Sequence, residues 1–260
     1  MKKKKRNWIY NLAILFFLGI MIFSLWNLIP LLIQEKEDHD TQKKVEQMVL
    51  VEDKKEEETV ITLQPDWESL QNANSDIVGW IYVPDTVINY PIVQGKDNDF
   101  YLDHSSLGAS NLIGAIFLDA NASSDFSDFQ SIIYGHSVIS SSEMFTQVAS
   151  FADASFFESH PYLYILTPEQ TYRCDILALT KTTSDSDLYQ TWFGNDDQRL
   201  SYLQLLYAQG DLTREVEDLN VHDPLIMLST CDLDYGLNSD HRILLHARLK
   251  AWDETIILEQ

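Results

Sequence analysis

The sequence 224-PLIMLSTC-231 is separated by only ten residues from 242-RILLHARL-249. Both segments are runs of aliphatic residues with the character of buried β-strands. The acidic connection between them, residues 232–241, is expected to turn the chain back onto an adjacent strand. Cys231 therefore lies at the end of one predicted strand, and Arg242 lies at the start of the next.

Five further segments with strand character precede this pair, and turn residues separate them. They are residues 78–83, 113–118, 131–134, 162–166 and 172–179. Many short strands with few helices between them predict a β-barrel or a β-sandwich.

Two segments interrupt the strand pattern with helical signals. Asp66 is a predicted N-cap for a short helix through Leu70. Asn195 is the predicted N-cap of a longer helix that ends before Gly210. One face of this second helix is apolar and is expected to pack against the strands. It consists of Leu200, Leu203, Leu206 and Tyr207.

The N-terminal segment has the composition of a membrane anchor. A basic cluster at residues 2–6 precedes an uncharged span at residues 8–33, which as a helix would be roughly 39 Å long, enough to cross a ~30 Å hydrocarbon core. We therefore predict a cytoplasmic basic cluster and a transmembrane signal-anchor in residues 1–34. The predicted location is the cell membrane, crossed once, with the N-terminus cytoplasmic and the rest of the chain extracellular. The alternative is a cleaved signal peptide, but the span is long and no small-residue cleavage site follows it.

The remainder of the chain is strongly acidic. The whole sequence has 18 basic and 40 acidic side chains, a net charge of −22. Residues 35–260 carry 13 of the basic and all 40 of the acidic side chains, a net charge of −27. This balance argues against a nucleic-acid partner. Residues 35–64 are rich in Glu, Lys, Asp and Gln and are predicted to form a polar stalk, and residues 65–260 are predicted to form the folded extracytoplasmic domain.

The chain contains two cysteines, Cys174 and Cys231. A disulfide between them is one interpretation. The other is one buried thiol and one reactive thiol, because Cys174 lies inside a predicted strand, where a small apolar side chain packs well. We favour the second interpretation because of the residues that accompany Cys231.

His136 follows the predicted strand 131–134, so a histidine, a cysteine and an arginine each stand at a strand end. A cysteine supplies a nucleophile for acyl transfer, and a histidine supplies a proton. An arginine supplies a rigid positive fork for a developing oxyanion. Alone, a cysteine or histidine is more often a packing residue than a catalytic one. Ser229 and Thr230 are weaker candidates, for substrate binding, and Ser229 is equally interpreted as an ordinary strand residue.

These residues resemble those of the sortases, and more narrowly the class B sortases. Sortases carry a Ser-Thr-Cys-like strand end, an upstream histidine after a strand, and an arginine on the next strand; here these are residues 229–231, His136 and Arg242. The chain is also similar to class B members at residues 76–81, 90–94 and 97–102, and in the helix inserted at 195–209. The resemblance covers roughly residues 66–250.

The resemblance implies a mainly β fold, a closed eight-stranded barrel with an N-terminal helix and a helix inserted between late strands. It also implies that residues 65–260 are the catalytic domain of a cysteine transpeptidase of Gram-positive bacteria. Such an enzyme cleaves a C-terminal sorting signal of the Leu-Pro-x-Thr-Gly or Asn-Pro-x-Thr-Asn type after Thr. Cys231 would form a thioacyl intermediate, His136 would protonate the departing amine, and Arg242 would hold the oxyanion or the substrate backbone.

The implied partners are a surface or pilin protein that bears the sorting signal, and an amine from a peptidoglycan cross-bridge or a pilin lysine. The membrane is a further expected partner, through the N-terminal helix. Two functions of other kinds remain as alternatives. One is a cysteine peptidase or amidase that hydrolyses wall peptides, and the other is a non-catalytic surface-binding module.

Neither a cofactor nor a metal is expected. One loop alternates as calcium loops do, but Ser124 stands where glycine is expected and Gln130 where glutamate is expected. The alternating residues are Asp119, Asn121, Ser123 and Asp125. The histidines near the C-terminus do not have the spacing of a zinc site. They are His222, His241 and His246.

Overall fold

The computed structural model describes residues 3–55, 58–139, 141–236 and 239–258, without side chains at 3–7, 9, 27–42 and 52–60. The chain separates into two compact units, Met1–Lys43 and Lys44–Gln260.

The described residues contain four α-helices and twelve strands. The helices are α1 (Lys3–Gln47), α2 (Trp67–Ala73), α3 (Ala154–Ser159) and α4 (Asp196–Gln209). The strands are β1 (Leu50–Lys55), β2 (Glu58–Leu63), β3 (Ile77–Tyr82), β4 (Asn89–Val93), β5 (Ile116–Leu118), β6 (Gln130–Tyr134), β7 (Tyr162–Leu166), β8 (Thr171–Thr183), β9 (Leu212–Thr213), β10 (Leu225–Cys231), β11 (His241–Ala251) and β12 (Ile257–Leu258). Short 3-10 helices lie at Phe100–Leu102, Thr146–Ala152, Asp187–Tyr189 and Leu233–Tyr235.

Eight of the strands close into a barrel. They follow the order β11-β10-β6-β5-β4-β3-β7-β8, and β8 pairs back onto β11 in antiparallel register. The pairs β4–β5 and β6–β10 are parallel, and the other neighbours in the barrel are antiparallel. The short β9 adds to β8, while β1, β2 and β12 form a separate three-stranded sheet. The predicted mainly β, closed eight-stranded barrel is therefore confirmed.

Alternate side chains of the eight strands fill the barrel interior, as the two-residue period of a strand requires. Each strand contributes to one core cluster, with Ile81, Ile92, Ile116, Ile133, Ile165, Ile176, Leu228 and Leu245 as examples. The outward faces of several strands join two further clusters, one of which includes residues of α4. A bulge in β8, opposite His246 and Ala247, shifts this alternation along the strand.

The two helices predicted from capping signals are present. The Asp66 carboxylate accepts the backbone N–H of Ser69 at the start of α2, at 3.1 Å. Asn195 Oδ1 accepts the N–H of Gln198 at the start of α4, at 3.0 Å.

The predicted apolar face of α4 is correct in part. Leu203 and Leu206 are buried, but Leu200 is 47% exposed and Tyr202 takes a place in the core instead. The buried stripe is therefore centred on the 202–206 side of the helix.

The predicted single pass through the cell membrane is wrong. A helix needs about 20 consecutive, mostly apolar residues to cross a bilayer. Within the part of the chain that the structure describes, none of the helices has the length and apolarity for a crossing. The predicted cytoplasmic basic cluster, residues 2–6, lies outside the residues whose side chains are described.

Part of the predicted stalk contributes to the second compact unit. Strands β1 and β2 fall within residues 35–64, and Val45 and Val49 are fully buried in one of the core clusters. The boundaries of the N-terminal segment, the stalk and the catalytic domain remain predictions.

Candidate active site

The register of two parallel strands brings His136 and Cys231 to the same end of the barrel. Tyr134 on β6 pairs with Ser229 on β10. His136 lies two residues after Tyr134, and Cys231 lies two residues after Ser229. The two parallel segments therefore leave the barrel side by side. The N–H of Gly135 extends the pairing by donating to the carbonyl oxygen of Ser229, at 3.2 Å.

The antiparallel pairing of β10 with β11 then places Arg242 directly opposite Cys231. Directly paired residues on neighbouring strands have Cβ atoms about 4.5–5.5 Å apart and present their side chains on the same face. The three candidates from distant parts of the sequence thus converge on one end of the barrel.

These three residues line one cavity of about 410 Å³. Two long connections contribute to its walls, the one between β4 and β5 and the one between β8 and β9. The remaining lining residues are Asn98, Leu102, Phe117, Tyr134, Gly135, Ser184, Tyr189, Ser229 and Thr230.

The His136 ring is half-buried and is oriented by a backbone carbonyl. Its Nε2–H donates to the carbonyl oxygen of Leu102, at 2.9 Å. The His136 carbonyl accepts the N–H of Phe145, at 3.0 Å, which fixes the backbone on the other side. Among the described residues there is no hydrogen bond between the imidazole and the Cys231 thiol. Because Nε2 carries the proton to Leu102, Nδ1 is the ring atom left for proton exchange.

The Arg242 guanidinium is held by the loop that precedes it. Its Nη1 donates to the carbonyl oxygens of Ser239 and His241, at 3.0 and 2.9 Å. The His241 ring stacks on Tyr235, with centroids 3.6 Å apart and an interplanar angle of 8°. The loop therefore orients the guanidinium through one nitrogen, and Nη2 and Nε have no protein acceptor among the described residues.

Ser229 and Thr230 line the cavity, but their hydroxyls have protein partners. A hydrogen bond of 2.7 Å joins the Ser229 and Tyr189 hydroxyls, and one of 2.8 Å joins those of Thr230 and Ser137. Burial raises the pKa of Tyr189, while its hydrogen bond to Ser229 and the charge of Arg242 act in the opposite direction. Tyr189 is therefore a neutral phenol within electrostatic range of the arginine.

Asp119 connects two walls of the same cavity. Its Oδ2 accepts Asn98 Nδ2, at 2.8 Å, and the Tyr134 hydroxyl, at 3.2 Å. Its Oδ1 accepts the N–H of Asn121, at 2.9 Å. Asp119 is the first residue of the calcium-like alternation, and both of its carboxylate oxygens accept hydrogen bonds from protein donors.

The two cysteines do not form a disulfide, and both thiols are free. Cys174 is fully buried in β8, and this burial raises the pKa of its thiol well above the usual value. Cys231 is half-buried at the cavity. The free, buried thiol that the second interpretation predicted is therefore present at Cys174, and the reactivity of Cys231 stays a prediction.

Sequence reasoning did not identify Tyr189 or the carbonyl of Leu102. Tyr189 lies in a short 3-10 helix between β8 and α4, where no local pattern distinguishes it. Leu102 lies in the segment 97–102, which the resemblance had marked, but a backbone contact leaves no signature in the side-chain sequence.

The chain is similar to known proteins over most of its length. No family model matches the chain. Sortase B of Listeria monocytogenes is 32% identical to it over 217 residues, which are 84% of this chain and 87% of that protein. The crystal structure of Staphylococcus aureus sortase B has a TM-score of 0.67 and 29% identity, covering 73% of this chain and 88% of that one. A Staphylococcus aureus sortase B–substrate complex has a TM-score of 0.74 and 25% identity, covering 85% of this chain and 100% of that one.

Proposed function

We propose, from the premise that this chain belongs to the sortase B family, that it cleaves a C-terminal sorting signal after Thr and transfers the acyl part to an amine. The observation that carries the proposal is the strand register, since it sets Cys231 beside His136 along β6–β10 and opposite Arg242 along β10–β11. A nucleophile, a proton donor and an oxyanion donor on one cavity wall are the groups that acyl transfer requires.

In the first step, the Cys231 thiol gives its proton to Nδ1 of His136, and the sulfur attacks the carbonyl carbon of the Thr. A C–S bond forms, the negative charge moves onto the carbonyl oxygen, and Nη2 and Nε of Arg242 donate to that oxygen. The C–N bond of the scissile peptide then breaks, and His136 gives its Nδ1 proton to the departing amine. The product is a thioester on Cys231 and a free C-terminal peptide.

In the second step, an incoming amine attacks the thioester carbon. A C–N bond forms and the C–S bond breaks, and the amine proton returns to the imidazole as the thiolate leaves. Arg242 stabilises the same oxyanion in both directions. Ser229 and Thr230, with hydroxyls already committed to Tyr189 and Ser137, act by shaping the cavity floor for the signal peptide.

The substrate is a surface or pilin protein that ends in a Leu-Pro-x-Thr-Gly or Asn-Pro-x-Thr-Asn signal. The acceptor is an amine of a peptidoglycan cross-bridge or a pilin lysine. Residues 65–260 carry the catalytic machinery.

Mass spectrometry of the products tests this proposal. The full chain is incubated with a panel of both kinds of signal peptide, each with and without an amine. We expect cleavage after Thr, a thioester adduct on Cys231, and a peptide–amine product. Cys231→Ala is the matched control and gives neither adduct nor product.

Two other results would each replace the proposal by an alternative. Cleavage that yields only the free acid at every amine concentration would make the protein a peptidase or amidase. Binding of signal peptides without any adduct, and unaffected by alkylation of Cys231, would make it a non-catalytic binding module.

A further inference from the structure

A second cavity, of about 460 Å³, also reaches Cys231. Cys231 is the one residue that the two described linings share, and the second cavity lies between the connection that follows β6 and the loop that joins β10 to β11. Lys181 in its wall pairs with the interior residue Ile243, so it faces the open end of the barrel rather than the face of Arg242. Cys231 thus separates two cavities of comparable size.

The charges of the two cavities are opposite. The walls of the second contain three carboxylates, from Asp153, Asp232 and Asp234, and one ammonium, from Lys181. The first is lined by Arg242 and His136, and no carboxylate is among the described residues that line it. The carboxylate of Asp119 lies behind Asn98 and Tyr134 and is hydrogen-bonded to both. The net charge of the lining side chains therefore differs in sign between the two cavities.

The carboxylate next to Cys231 is held inside the protein. Asp232 is only 2% exposed. Its Oδ1 accepts the N–H of Asp234, at 3.1 Å, but its Oδ2 accepts no hydrogen bond from any described residue. Lys181 Nζ lies 3.4 Å from that oxygen, at ion-pair distance, and 3.3 Å from Asp234 Oδ2. One ammonium is thus shared by two carboxylates, and the wall keeps an excess of negative charge.

Asp153 adds a further fixed negative charge. Its Oδ1 accepts the N–H groups of Ser155 and Phe156, at 2.9 and 3.0 Å, at the start of α3. Hydrogen bonds from the Ser155 side chain and these backbone groups lower the pKa of Asp153, so it is ionised at neutral pH.

We infer that this second cavity, which we call the acidic cavity, binds the amine acceptor of the transpeptidation, and that it selects acceptors carrying positive charge. The inference rests on the proposed function, because only a thioester on Cys231 requires a second substrate. The signal peptide occupies the positive cavity, where its carbonyl oxygen becomes an anion. The acceptor reaches the opposite side of the sulfur as an ammonium ion, drawn by the carboxylates.

The chemistry balances with the groups present. The bound ammonium loses one proton to water, and the resulting amine attacks the thioester carbon. The C–N bond forms, the C–S bond breaks, and the second amine proton passes to the imidazole or the thiolate. The acidic cavity acts on the binding and orientation of the acceptor, and it changes no bond itself.

Three acceptors that differ in the charge of one side chain test the inference, and only the product joined through the N-terminal amine is counted. They are the amides of Gly-Gly-Lys, Gly-Gly-Gln and Gly-Gly-Glu, offered to the full chain with one signal peptide. The test variant is the double substitution Asp153→Asn with Asp234→Asn, which keeps the N-cap of α3. The matched control is Glu169→Gln with Asp253→Asn, which removes two exposed carboxylates at the opposite end of the barrel.

We expect the parent to prefer the Lys acceptor over the Glu acceptor in kcat/KM by about fivefold or more, with a smaller preference at high salt. The test variant reduces this ratio towards one, and the control variant leaves it unchanged. Lys181→Gln increases the ratio, because it removes the only cation of the acidic cavity.

A parent ratio near one, or a ratio equal in parent and test variant, overturns the inference while the thioester still forms. A failure of the parent to form the thioester overturns the proposed function and this inference with it. The thioester yield, measured without any acceptor, separates the two cases.

Discussion

The thiols of the two cysteines are in different environments, one inside the barrel and one at its end. Cys174 has no exposed surface inside β8, whereas Cys231 borders both cavities at the end of β10. We predict that Cys231→Ala abolishes thioester formation and transpeptidation. Cys174→Ala deletes one buried atom and costs about 1 kcal/mol in the free energy of unfolding, with activity retained.

Alkylation of the native protein gives an independent measurement of the same difference. Iodoacetamide labels Cys231 alone until the protein is unfolded, when both thiols react. Loss of activity in both alanine variants, at unchanged stability, would contradict the assignment.

Arg242 and Arg248 lie on one face of β11 but have different roles, Arg242 in the proposed reaction and Arg248 in buried contacts that stabilise the fold. Arg248 is six residues from Arg242, about 20 Å along the strand, too far to reach the same carbonyl. It is nearly buried, with Nη2 2.7 Å from Asp175 Oδ2 and Nη1 3.0 Å from the Glu217 carbonyl. We expect Arg242→Lys to keep the charge, lose the donor fork, and reduce kcat/KM about 100-fold at unchanged stability.

Arg248→Lys is the matched control with the opposite profile. It lowers the free energy of unfolding by about 1–3 kcal/mol, because a buried bond to a charged group is lost, and it leaves kcat/KM of the folded protein close to that of the parent. Fluorogenic signal-peptide kinetics and urea unfolding of both variants measure this. Equal kinetic losses in the two would remove Arg242 from its proposed role.

Among single residues, the sequence identified those with reactive side chains at the ends of predicted strands. His136, Cys231 and Arg242 were marked because each follows or begins an aliphatic run, and the pairing of β10 with both β6 and β11 then brings them together. Tyr189 and Asp232 gave no such signal, since their roles depend on which loop folds over which cavity.

For the inserted helix α4, the spacing of apolar residues predicted the buried face only in part. Leu206 is fully buried between α4 and the barrel, while Leu200 is 47% exposed, although both belonged to the predicted apolar face. We predict that Leu206→Ala costs about 2–4 kcal/mol in the free energy of unfolding, through lost burial and a cavity. Leu200→Ala should change it by no more than about 0.5 kcal/mol. Chemical denaturation of both variants measures the difference, and equal costs would contradict the packing described for α4.

Among the strands, the long aliphatic runs were predictable and the short or charged ones were not. All seven predicted segments overlap strands of the barrel. β4 was not among the predicted strands, and it contains Pro91, a residue that is disfavoured inside sheets. β1 and β2 lie in a segment whose composition favoured a stalk, and only the pairing of β1 with β2 and of β2 with β12 reveals a sheet.

At the scale of the whole molecule, the expectation of a membrane-spanning anchor came from the length of one uncharged segment. The described residues provide no helix that satisfies that expectation. The composition of the chain predicted an acidic protein, with a net charge of −22. The aspartates that make the acidic cavity negative are part of that excess of carboxylates.

One buried histidine outside the site is expected to contribute to the acid sensitivity of the fold. His246 lies on β11 under α4 and is fully buried. The Tyr202 hydroxyl donates to the Leu188 carbonyl, at 2.9 Å, so His246 Nε2–H donates to the Tyr202 oxygen, at 3.1 Å. Its Nδ1 is buried without a partner among the described residues. Burial therefore lowers the pKa of His246 from 6.5 to about 3.

This shift makes the folded state less stable in acid, and the sign follows from proton counting. Between pH 6.5 and about 3, the unfolded chain binds a proton at His246 that the folded chain does not, so stability is complete above pH 6.5 and falls as the pH decreases through this window. We predict that His246→Gln, which keeps an N–H donor but does not titrate, removes this contribution. The stability of the parent relative to His246→Gln should fall by about 2 kcal/mol between pH 7.5 and pH 5, measured by urea unfolding. His222→Gln, at an exposed histidine 3.8 Å from Asp196 Oδ2, controls for the loss of a histidine as such. A constant difference between the parent and His246→Gln across this range would show that the buried ring is not the group that couples folding to pH.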